Sequence, residues 1–285
     1  MNEMDPFERI TVTKSVHDRQ IGITCSANDY SMTSLHDLLS HQDNVNSGCT
    51  QIFELPDHVD WDATLSFCNE GESAFYVHAP YNVQAWTQGT GALKRLKEYT
   101  DKIMYLPAAV VVHVGSTKRG GSIEAVAANM DSLHLERQNN RVEYPLLLEN
   151  AAGEKRRLAS DVNEIRRITE ASDAPFGWCI DTQHAFASGM CTFDTHESIV
   201  KLFEDELPQK VKLIHLNDSK VGYEEKVDVH ENIRSGHIWW HNTESLRSLI
   251  EYCKEKQIDM VLETPNARED MKLIRQGFIP ETSGI

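Results

Sequence analysis

Nine histidine, aspartate and glutamate residues recur along this chain, and most of them close a short apolar run. The runs read AFYVHAP, VVVHVGS, YPLLLEN, WCIDTQH, VKLIHLN and MVLETP. Such runs are typical of buried strands in a parallel sheet, whose carboxyl ends lie along one edge. The pattern therefore predicts that several metal ions bind at one end of a sheet. The nine residues are His78, His113, Glu149, Asp181, His184, His215, Asp228, His230 and Glu263.

The ligand types indicate the kind of metal. Imidazole and carboxylate without thiolate favour zinc, manganese or iron over calcium. The six cysteines show no C-x-x-C spacing, so we interpret them as buried small residues and free thiols. Because structural zinc is mostly bound by cysteine, the pattern favours a catalytic metal. Local spacing also favours a metal site. Asp228 and His230 are two residues apart, so an extended backbone directs both side chains the same way.

The elements that must position these residues alternate along the chain. Strand-like runs begin at residues 21, 49, 73, 108, 144, 176, 211 and 259. Amphipathic stretches at helical spacing cover 34–39, 92–104, 122–135, 158–171, 196–207, 243–256 and 268–277. Alternating strands and helices predict right-handed βαβ units around a parallel sheet. Eight such units predict a (β/α)₈ TIM barrel with its active site at the carboxyl ends of the strands.

Length and composition set the broad class. A chain of 285 residues suits one α/β domain, which we place at residues 20–285 after a polar amino-terminal extension at 1–19. No apolar stretch approaches the roughly 20 residues that cross a membrane, and the first residues lack the apolar segment of a secretory signal. We therefore expect an intracellular protein that does not bind membranes, and a monomer.

The net charge of −16 argues against a protein that holds nucleic acid by a generally basic surface. It leaves room for a local positive site. Only four of the nine candidate ligands are carboxylates, so three bound divalent ions would make the site cationic within an acidic protein.

Five segments carry a family resemblance. LLLENAAG, CIDTQHAFASG, VKLIHLNDSK, VDVHENIRSGHI and VLETPN resemble, in order and at similar spacing, the signature blocks of the endonuclease IV family of apurinic/apyrimidinic endonucleases. The resemblance spans residues 75–266 and implies a TIM barrel with three zinc ions, with Mn²⁺ or Fe²⁺ as an alternative at one site. It implies one ion at His78, His113 and Glu149, a second at Glu149, Asp181, His215 and Glu263, and a third at His184, Asp228 and His230.

The resemblance also implies the reaction. The expected activity is hydrolysis of the phosphodiester 5′ to an abasic site in duplex DNA, which leaves a 3′-hydroxyl and a 5′-deoxyribose phosphate. A second expected activity is the cleaning of blocked 3′ ends. Two ions bridged by Glu149 would lower the pKa of a shared water and give hydroxide near neutral pH, so Glu149 is the expected catalytic residue.

Contacts with damaged double-stranded DNA are expected on the rim that bears the ligands. Tyr81 matches the family's tyrosine wedge, and Trp86 could either assist it or pack against the barrel. The residues that we assign to DNA contact are Tyr81, Lys118, Arg119, Lys220 and His237. Lysine and arginine at 155–157 follow the same rim.

Three departures from the family concern DNA distortion and not the metal ligands. SANDYSMTS replaces a glycine-rich turn after the first strand. The residues before Trp61 read His58, Val59 and Asp60, where the family has an arginine. Asn82 replaces the leucine beside the tyrosine wedge.

Two alternatives remain open. A metal-dependent sugar isomerase or epimerase on the same barrel would use only Glu149, Asp181, His215 and Glu263 around a single ion, and would leave the other five residues without a role. A damage-binding or scaffold protein could keep metals for stability alone. The metal count and turnover on abasic DNA separate these alternatives from the nuclease.

Overall fold

Eight short parallel strands close into a barrel in the computed structural model of the protein, which describes residues 21–25, 49–54, 60, 62, 74–86, 91–103, 108–140 and 146–276. The strands in chain order are β1 (Ile21–Cys25), β2 (Cys49–Phe53), β3 (Ala74–His78), β4 (Ala108–His113), β5 (Leu146–Glu149), β6 (Gly177–Asp181), β7 (Val211–His215), β8 (Asp218–Ser219), β9 (His230–Glu231) and β10 (Asp259–Leu262). The barrel order is β1-β10-β7-β6-β5-β4-β3-β2, while β8 and β9 pair antiparallel in the loop after β7. Every barrel strand lies within a predicted apolar run, so the TIM-barrel prediction is confirmed.

Alternation along the strands separates an outer core from an inner one. On β4, Val110 and Val112 pack outward in the main core, while Ala109 and Val111 face the barrel axis. The inner core consists of Cys49, Tyr76, Ala109, Val111, Leu147, Cys179, Leu213 and Val261. A candidate ligand lies two residues after an inner residue on six strands, as Glu149 follows Leu147. The same alternation therefore directs the ligands to the axis above the inner core.

Seven α-helices surround the barrel within the described residues. They are α1 (Gly91–Ile103), α2 (Ile123–Asn140), α3 (Val162–Ala171), α4 (Thr182–Ser188), α5 (His196–Val200), α6 (Thr243–Lys256) and α7 (Ala267–Arg275). Five of the predicted helices are confirmed as α1, α2, α3, α6 and α7. The helix predicted at 196–207 divides into α5 and a π-helical segment, Lys201–Glu206. The helix predicted at 34–39 and the extension at 1–19 lie outside the described residues, and the domain boundaries stay a prediction.

Helix α4 was not predicted. It starts directly after β6, because Asp181 ends the strand and also caps the helix by accepting a hydrogen bond from the backbone N–H of His184 at 2.9 Å. Among the described residues, each helix is too short or too polar to serve as a membrane span.

Candidate metal centre

The candidate site lies at the carboxyl end of the barrel, where imidazoles and carboxylates from seven loops and strand ends converge. Eight of the nine predicted residues form three overlapping groups whose ligand atoms lie within 4.8 Å of one another. The groups are His78, His113 and Glu149; Glu149, Asp181, His215 and Glu263; and Asp181, His184 and His230. Two carboxylates, Glu149 and Asp181, each belong to two groups.

Asp228 completes the set at the edge of the site. Its Oδ1 lies 3.2 Å from Nε2 of His184 and 3.7 Å from Nε2 of His230. The structure therefore brings together the three residues predicted for the third ion. It also adds Asp181, whose Oδ2 lies 3.4 Å from Nε2 of His230.

Glu149 has the geometry of a bridge. Its Oε2 lies 3.0 Å from Nε2 of His78 and 3.0 Å from Nδ1 of His113. Its Oε1 faces the other way and lies 3.0 Å from Nδ1 of His215 and 3.6 Å from Nδ1 of His184. The side chain is fully buried, so both oxygens are committed to these groups.

Backbone carbonyls orient three of the imidazoles. Nδ1 of His78 lies 2.8 Å from the carbonyl of Ala79, and Nδ1 of His184 lies 2.9 Å from the carbonyl of Asn150. A carbonyl only accepts, so these nitrogens carry the proton and leave Nε2 for a metal. His230 follows the same pattern less closely, with Nδ1 3.3 Å from the carbonyl of Glu263.

Charges within the cluster shift the pKa values strongly. Burial lowers the pKa of His184, but Asp181 and Asp228 outweigh it and hold that pKa well above its usual value. Burial likewise lowers the pKa of His215, and Cys179, Glu263 and Glu149 together raise it well above the usual value.

The remaining groups of the cluster shift in both directions. Burial raises the pKa of Glu149, but the imidazoles of His113 and His215 hold it well below its usual range. Burial also lowers the pKa of the His113 imidazole, and Glu149 offsets only part of that shift. Protons on His184 and His215 thus balance the charge of the ionised carboxylates when no cation is present, and a divalent cation would replace those protons.

Unpaired donor atoms support the same interpretation. Nε2 of His113 and Nε2 of His230 are buried and make no hydrogen bond. Leaving a buried polar atom without a partner costs about 1–3 kcal/mol. A divalent cation bound beside Asp181 and Asp228 would satisfy Nε2 of His230, and the donor set fits the imidazole and carboxylate ligands of zinc, manganese or iron.

A second layer of amides holds the ligand-bearing strand ends together. Asn150 accepts from the backbone N–H of Asp181 at 2.7 Å and donates to the carbonyl of Asp181 at 3.2 Å. Asn217 donates to Oδ2 of Asp181 at 2.7 Å and accepts from the backbone N–H of Glu263 at 2.9 Å. These contacts couple β5, β6, β7 and the end of β10.

The loop after β7 is anchored by one buried carboxylate. Asp218 accepts backbone N–H hydrogen bonds from Ser219, Arg234, Gly236 and Ile238 at 2.8–3.2 Å. These bonds close the loop that carries Asp228 and His230 across the site.

The sequence pattern did not identify four further residues of the site, Asn150, Asn217, Asp218 and Gln51. Residue type alone does not distinguish an amide or a loop carboxylate of the site from one elsewhere in the protein. Gln51 lies two residues after the inner residue Cys49, and that spacing could have identified it. The other three lie one to three residues after a predicted ligand, inside LLLENAAG and VKLIHLNDSK.

Tyr81 lies at the mouth of the site. The residue is 56% exposed, and its ring stacks on His113 with ring centroids 5.0 Å apart and an interplanar angle of 12°. Burial of its hydroxyl, with Asp228 and Glu149, raises the pKa of Tyr81 to about 12, so the phenol stays neutral. Trp86 instead packs against the hydrophobic core. Its ring lies so close to Gly121 that a Cβ at that position would meet it at 2.7 Å.

The basic residues predicted for DNA contact lie in the loops after β4 and β7. Lys118, Lys220 and His237 are exposed. The backbone N–H of His237 donates to the carbonyl of Ser219 at 2.7 Å, which places His237 beside Lys220. Arg119 ends a short helical turn, and its side chain lies outside the described part of the structure.

The lysine and arginines at 155–157 lie in the loop after β5, beside the loop after β4. The hydroxyl of Ser116 donates to the carbonyls of Lys155 and Arg156 at 3.0 and 3.1 Å. Both basic residues have positive φ, 51° and 59°, a conformation that costs free energy for side chains other than glycine. Ser116 therefore stabilises a backbone that brings two cations to the same rim. Two of the departures from the family, at 26–34 and at His58, Val59 and Trp61, lie outside the described residues.

Comparison with known proteins places the chain among TIM-barrel nucleases. Residues 60–277 match the model of AP endonuclease family 2, which is described as a xylose isomerase-like TIM barrel. A probable endonuclease 4 of Streptomyces avermitilis is 34% identical over 209 residues, which cover 68% of this chain and 66% of the relative. A probable endonuclease 4 of Streptomyces coelicolor is 31% identical over 216 residues, which cover 71% of this chain and 72% of the relative.

Among solved structures, endonuclease IV of Thermus thermophilus superposes with a TM-score of 0.74. The superposition covers 91% of this chain and 98% of that one at 22% identity. At this identity the likeness shows a shared fold.

Proposed function

The chain belongs to the endonuclease IV family of xylose isomerase-like TIM barrels, and on that premise we propose that it is a DNA-repair nuclease. We propose that it hydrolyses the phosphodiester 5′ to an abasic site in duplex DNA with three zinc ions. The products would be a 3′-hydroxyl and a 5′-deoxyribose phosphate. The same site would remove blocking groups from 3′ ends.

One observation carries the proposal, namely that Glu149 divides its two carboxylate oxygens between two groups of imidazoles. Oε2 faces His78 and His113, and Oε1 faces His215. A site for a single ion does not need a carboxylate that points both ways. Two ions that share one ligand lie close enough to act on one phosphate, as in two-metal hydrolases.

The chain's own residues would prepare the site for an anionic substrate. Glu149 would serve two cation positions, and Asp181 would link the second of them to His184 and His230. Nδ1–H of His78 and His184 is held by backbone carbonyls, which leaves their Nε2 lone pairs directed into the site. When bound, divalent ions would supply Lewis acidity to phosphate oxygens and lower the pKa of water near them.

No side-chain nucleophile is needed for this reaction. Cys179, which interacts with the candidate ligand His215, is fully buried, and burial raises its pKa to about 12. A thiol with that pKa is protonated at neutral pH and is a poor nucleophile. The water route is therefore the one that the residues of the site support.

We propose that the rim contacts DNA through Tyr81, Lys118, Arg119, Lys220 and His237. Tyr81 is exposed at the mouth, beside the ligand His113, where its ring could contact the base stack near an extruded nucleotide. The basic residues would contact backbone phosphates, and such contacts position the duplex without reading its sequence.

The sugar isomerase alternative is less well supported. It would use the four-residue group Glu149, Asp181, His215 and Glu263 alone. The structure places four imidazoles, those of His78, His113, His184 and His230, within the two adjoining groups. Imidazoles that gather around the carboxylates of one site are better explained by further ions than by packing.

The test is cleavage of a duplex with a single tetrahydrofuran abasic analogue by protein purified without chelator. This analogue resists β-elimination, so a cut can only be hydrolytic. We expect one cut on the 5′ side, an end that a DNA polymerase extends, and no cut in the undamaged duplex. Loss of cleavage after chelation and its return with zinc would support the metal centre. Absence of cleavage by protein that retains its metals would contradict the proposal.

A further inference from the structure

We propose that Gln51 is a positioning residue of the metal centre, which selects the ring nitrogen that His215 offers to a metal and the carboxylate oxygen that Glu263 offers. The inference rests on the proposed function, since it assigns to these two residues a shared ion. Gln51 was not among the residues expected to do chemistry, and its side-chain hydrogen bonds go to His215, Glu263 and Thr24.

The fold places Gln51 where other strands place a ligand. It lies two residues after Cys49 of the inner core, so its side chain faces the barrel axis. It is fully buried. In the register of β1 and β2 it stands opposite Thr24. These two described strands contribute none of the nine candidate ligands, and an amide and a hydroxyl occupy the corresponding space.

Gln51 makes hydrogen bonds with two candidate ligands of the same ion. Nε2 of His215 donates to Oε1 of Gln51 at 2.9 Å. Nε2 of Gln51 donates to Oε1 of Glu263 at 2.7 Å and to Oγ1 of Thr24 at 3.0 Å. The Thr24 hydroxyl then donates to the same oxygen of Glu263 at 3.2 Å.

The orientation of the amide is fixed by its neighbours. An ionised carboxylate only accepts, so the NH₂ group must face Glu263 and the amide oxygen must face His215. His215 therefore carries its proton on Nε2. Its Nδ1 is left to face Oε1 of Glu149 at 3.0 Å and Oε2 of Glu263 at 3.1 Å.

The same contacts give the two carboxylate oxygens of Glu263 different partners. Oε1 receives the Gln51 and Thr24 hydrogen bonds, and Oε2 remains directed at the space that it shares with His215 and Glu149. His78 and His184 use backbone carbonyls to fix their tautomers, whereas His215 uses a side chain. A substitution can therefore remove this control from one ion position without changing the backbone.

The experiment compares metal retention by wild-type protein, Gln51→Met and a matched control. Methionine has a similar length but neither donates to Glu263 nor offers His215 an oxygen. Partners that orient a ligand typically change metal affinity 10–100-fold. We expect one ion to leave about 10–100-fold more readily in competition with a chelator, and the others to stay. Excess zinc should restore cleavage, which general damage to the fold would not allow.

The control is Tyr76→Phe. It removes one buried hydrogen bond inside the same barrel, from the Tyr76 hydroxyl to Oδ2 of Asp259 at 2.7 Å, at the opposite end from the site. It should retain all ions with wild-type affinity. The unfolding temperatures of the metal-free variants show whether either substitution acts through the fold.

Gln51→Glu provides a second measurement. It keeps an oxygen that can accept from His215, so the zinc-loaded variant should retain the Nε2–H resonance of His215 in ¹⁵N NMR of histidine-labelled protein. Retention of all ions by Gln51→Met with wild-type affinity, or an Nδ1–H form of His215 in the zinc-loaded wild-type protein, would overturn the role of Gln51 alone. A wild-type protein that binds no ion would overturn the proposed function itself.

Discussion

At the scale of single residues, Glu149 is the side chain on which the site depends most. Its oxygens contact imidazoles on both sides at 3.0 Å, and it lies at the meeting point of two of the three ligand groups. Its buried charge is balanced by His113 and His215, which hold its pKa well below its usual range. A neutral residue of the same shape would keep the packing and remove the charge that pairs two cations.

Glu149→Gln should therefore abolish cleavage of an abasic duplex while DNA binding changes much less. Losing a paired metal site should cost several kcal/mol of transition-state stabilisation, which corresponds to a loss of roughly 1,000-fold or more in rate. Single-turnover cleavage and binding to the tetrahydrofuran duplex are measured side by side. A variant that retains more than about a tenth of the wild-type rate would exclude Glu149 as the bridge.

Tyr81 allows a different prediction, because it stacks on a ligand but lies at the surface. Tyr81→Ala should slow cleavage of an intact abasic duplex and have little effect on a substrate in which the abasic nucleotide is already unpaired and flexible. An aromatic side chain that assists unstacking matters only when the stack is closed.

The matched control for Tyr81→Ala is Tyr81→Phe, which keeps the ring and should cut both substrates almost normally. Equal losses on the two substrates in Tyr81→Ala would instead show that Tyr81 supports His113 by packing.

At the scale of elements, the loop after β7 is the part of the site that the barrel strands do not position directly. It supplies Asp228 and His230, and it is closed by the four backbone hydrogen bonds to Asp218. A buried carboxylate that accepts four N–H groups is a rigid anchor, since each donor would otherwise be left without a partner.

Asp218→Ala should destabilise the protein and release the ion nearest this loop first. Four unsatisfied N–H groups suggest a loss on the order of 3 kcal/mol or more. Unfolding in urea measures the stability, and metal analysis after dialysis measures the ion. Asp218→Asn keeps one acceptor oxygen, so its stability and metal content should lie between those of the wild-type protein and Asp218→Ala. A variant with the full metal content and an unchanged loop would show that Asp228 and His230 are held by other contacts.

The strands and most helices could be predicted because their signals are local. Runs such as VVVHVGS and YPLLLEN show burial on both faces, and the ligand residues that end them meet when parallel strands close into a barrel. Helix α4 was missed because its first turn, Thr182 to His184, follows the strand without an intervening turn residue. The π-helical segment after α5 was missed because helical periodicity does not distinguish the two kinds of turn.

The second layer of the site was harder to predict for a physical reason. Gln51 and Asn217 act through hydrogen bonds to residues 164 and 46 positions away in sequence. Their amide side chains are compatible with many surface and core environments. Barrel closure brings Gln51 to His215 and Asn217 to Glu263.

At the scale of the whole molecule, the balance of protons and metal ions sets the pH dependence. In the metal-free protein, burial lowers the pKa of both His184 and His215. Asp181 and Asp228 raise the pKa of His184, and Cys179, Glu263 and Glu149 raise that of His215, with a net rise well above the usual value in both. Groups whose pKa rises on folding stabilise the fold below their unfolded pKa of about 6.5 and lose that contribution as the pH rises through the folded pKa. Metal binding has the opposite sign, because the imidazoles must give up their protons.

The difference in unfolding temperature between metal-loaded and chelated protein should therefore widen as the pH rises from about 5.5 to about 8. Cleavage should fall over the same range as the pH is lowered, together with metal content. Thermal unfolding of the two forms across this range is the measurement. A constant difference between them would mean that the imidazoles do not exchange protons for metal.

Nine side chains are expected to bind three ions around two shared carboxylates. Anomalous diffraction at the zinc edge from crystals of protein purified without chelator tests this directly. We predict three peaks: one among His78, His113 and Glu149, one among Glu149, Asp181, His215 and Glu263, and one beside His184, Asp228 and His230. A single peak at the four-residue group, with the other imidazoles unoccupied, would contradict the account and favour the isomerase alternative.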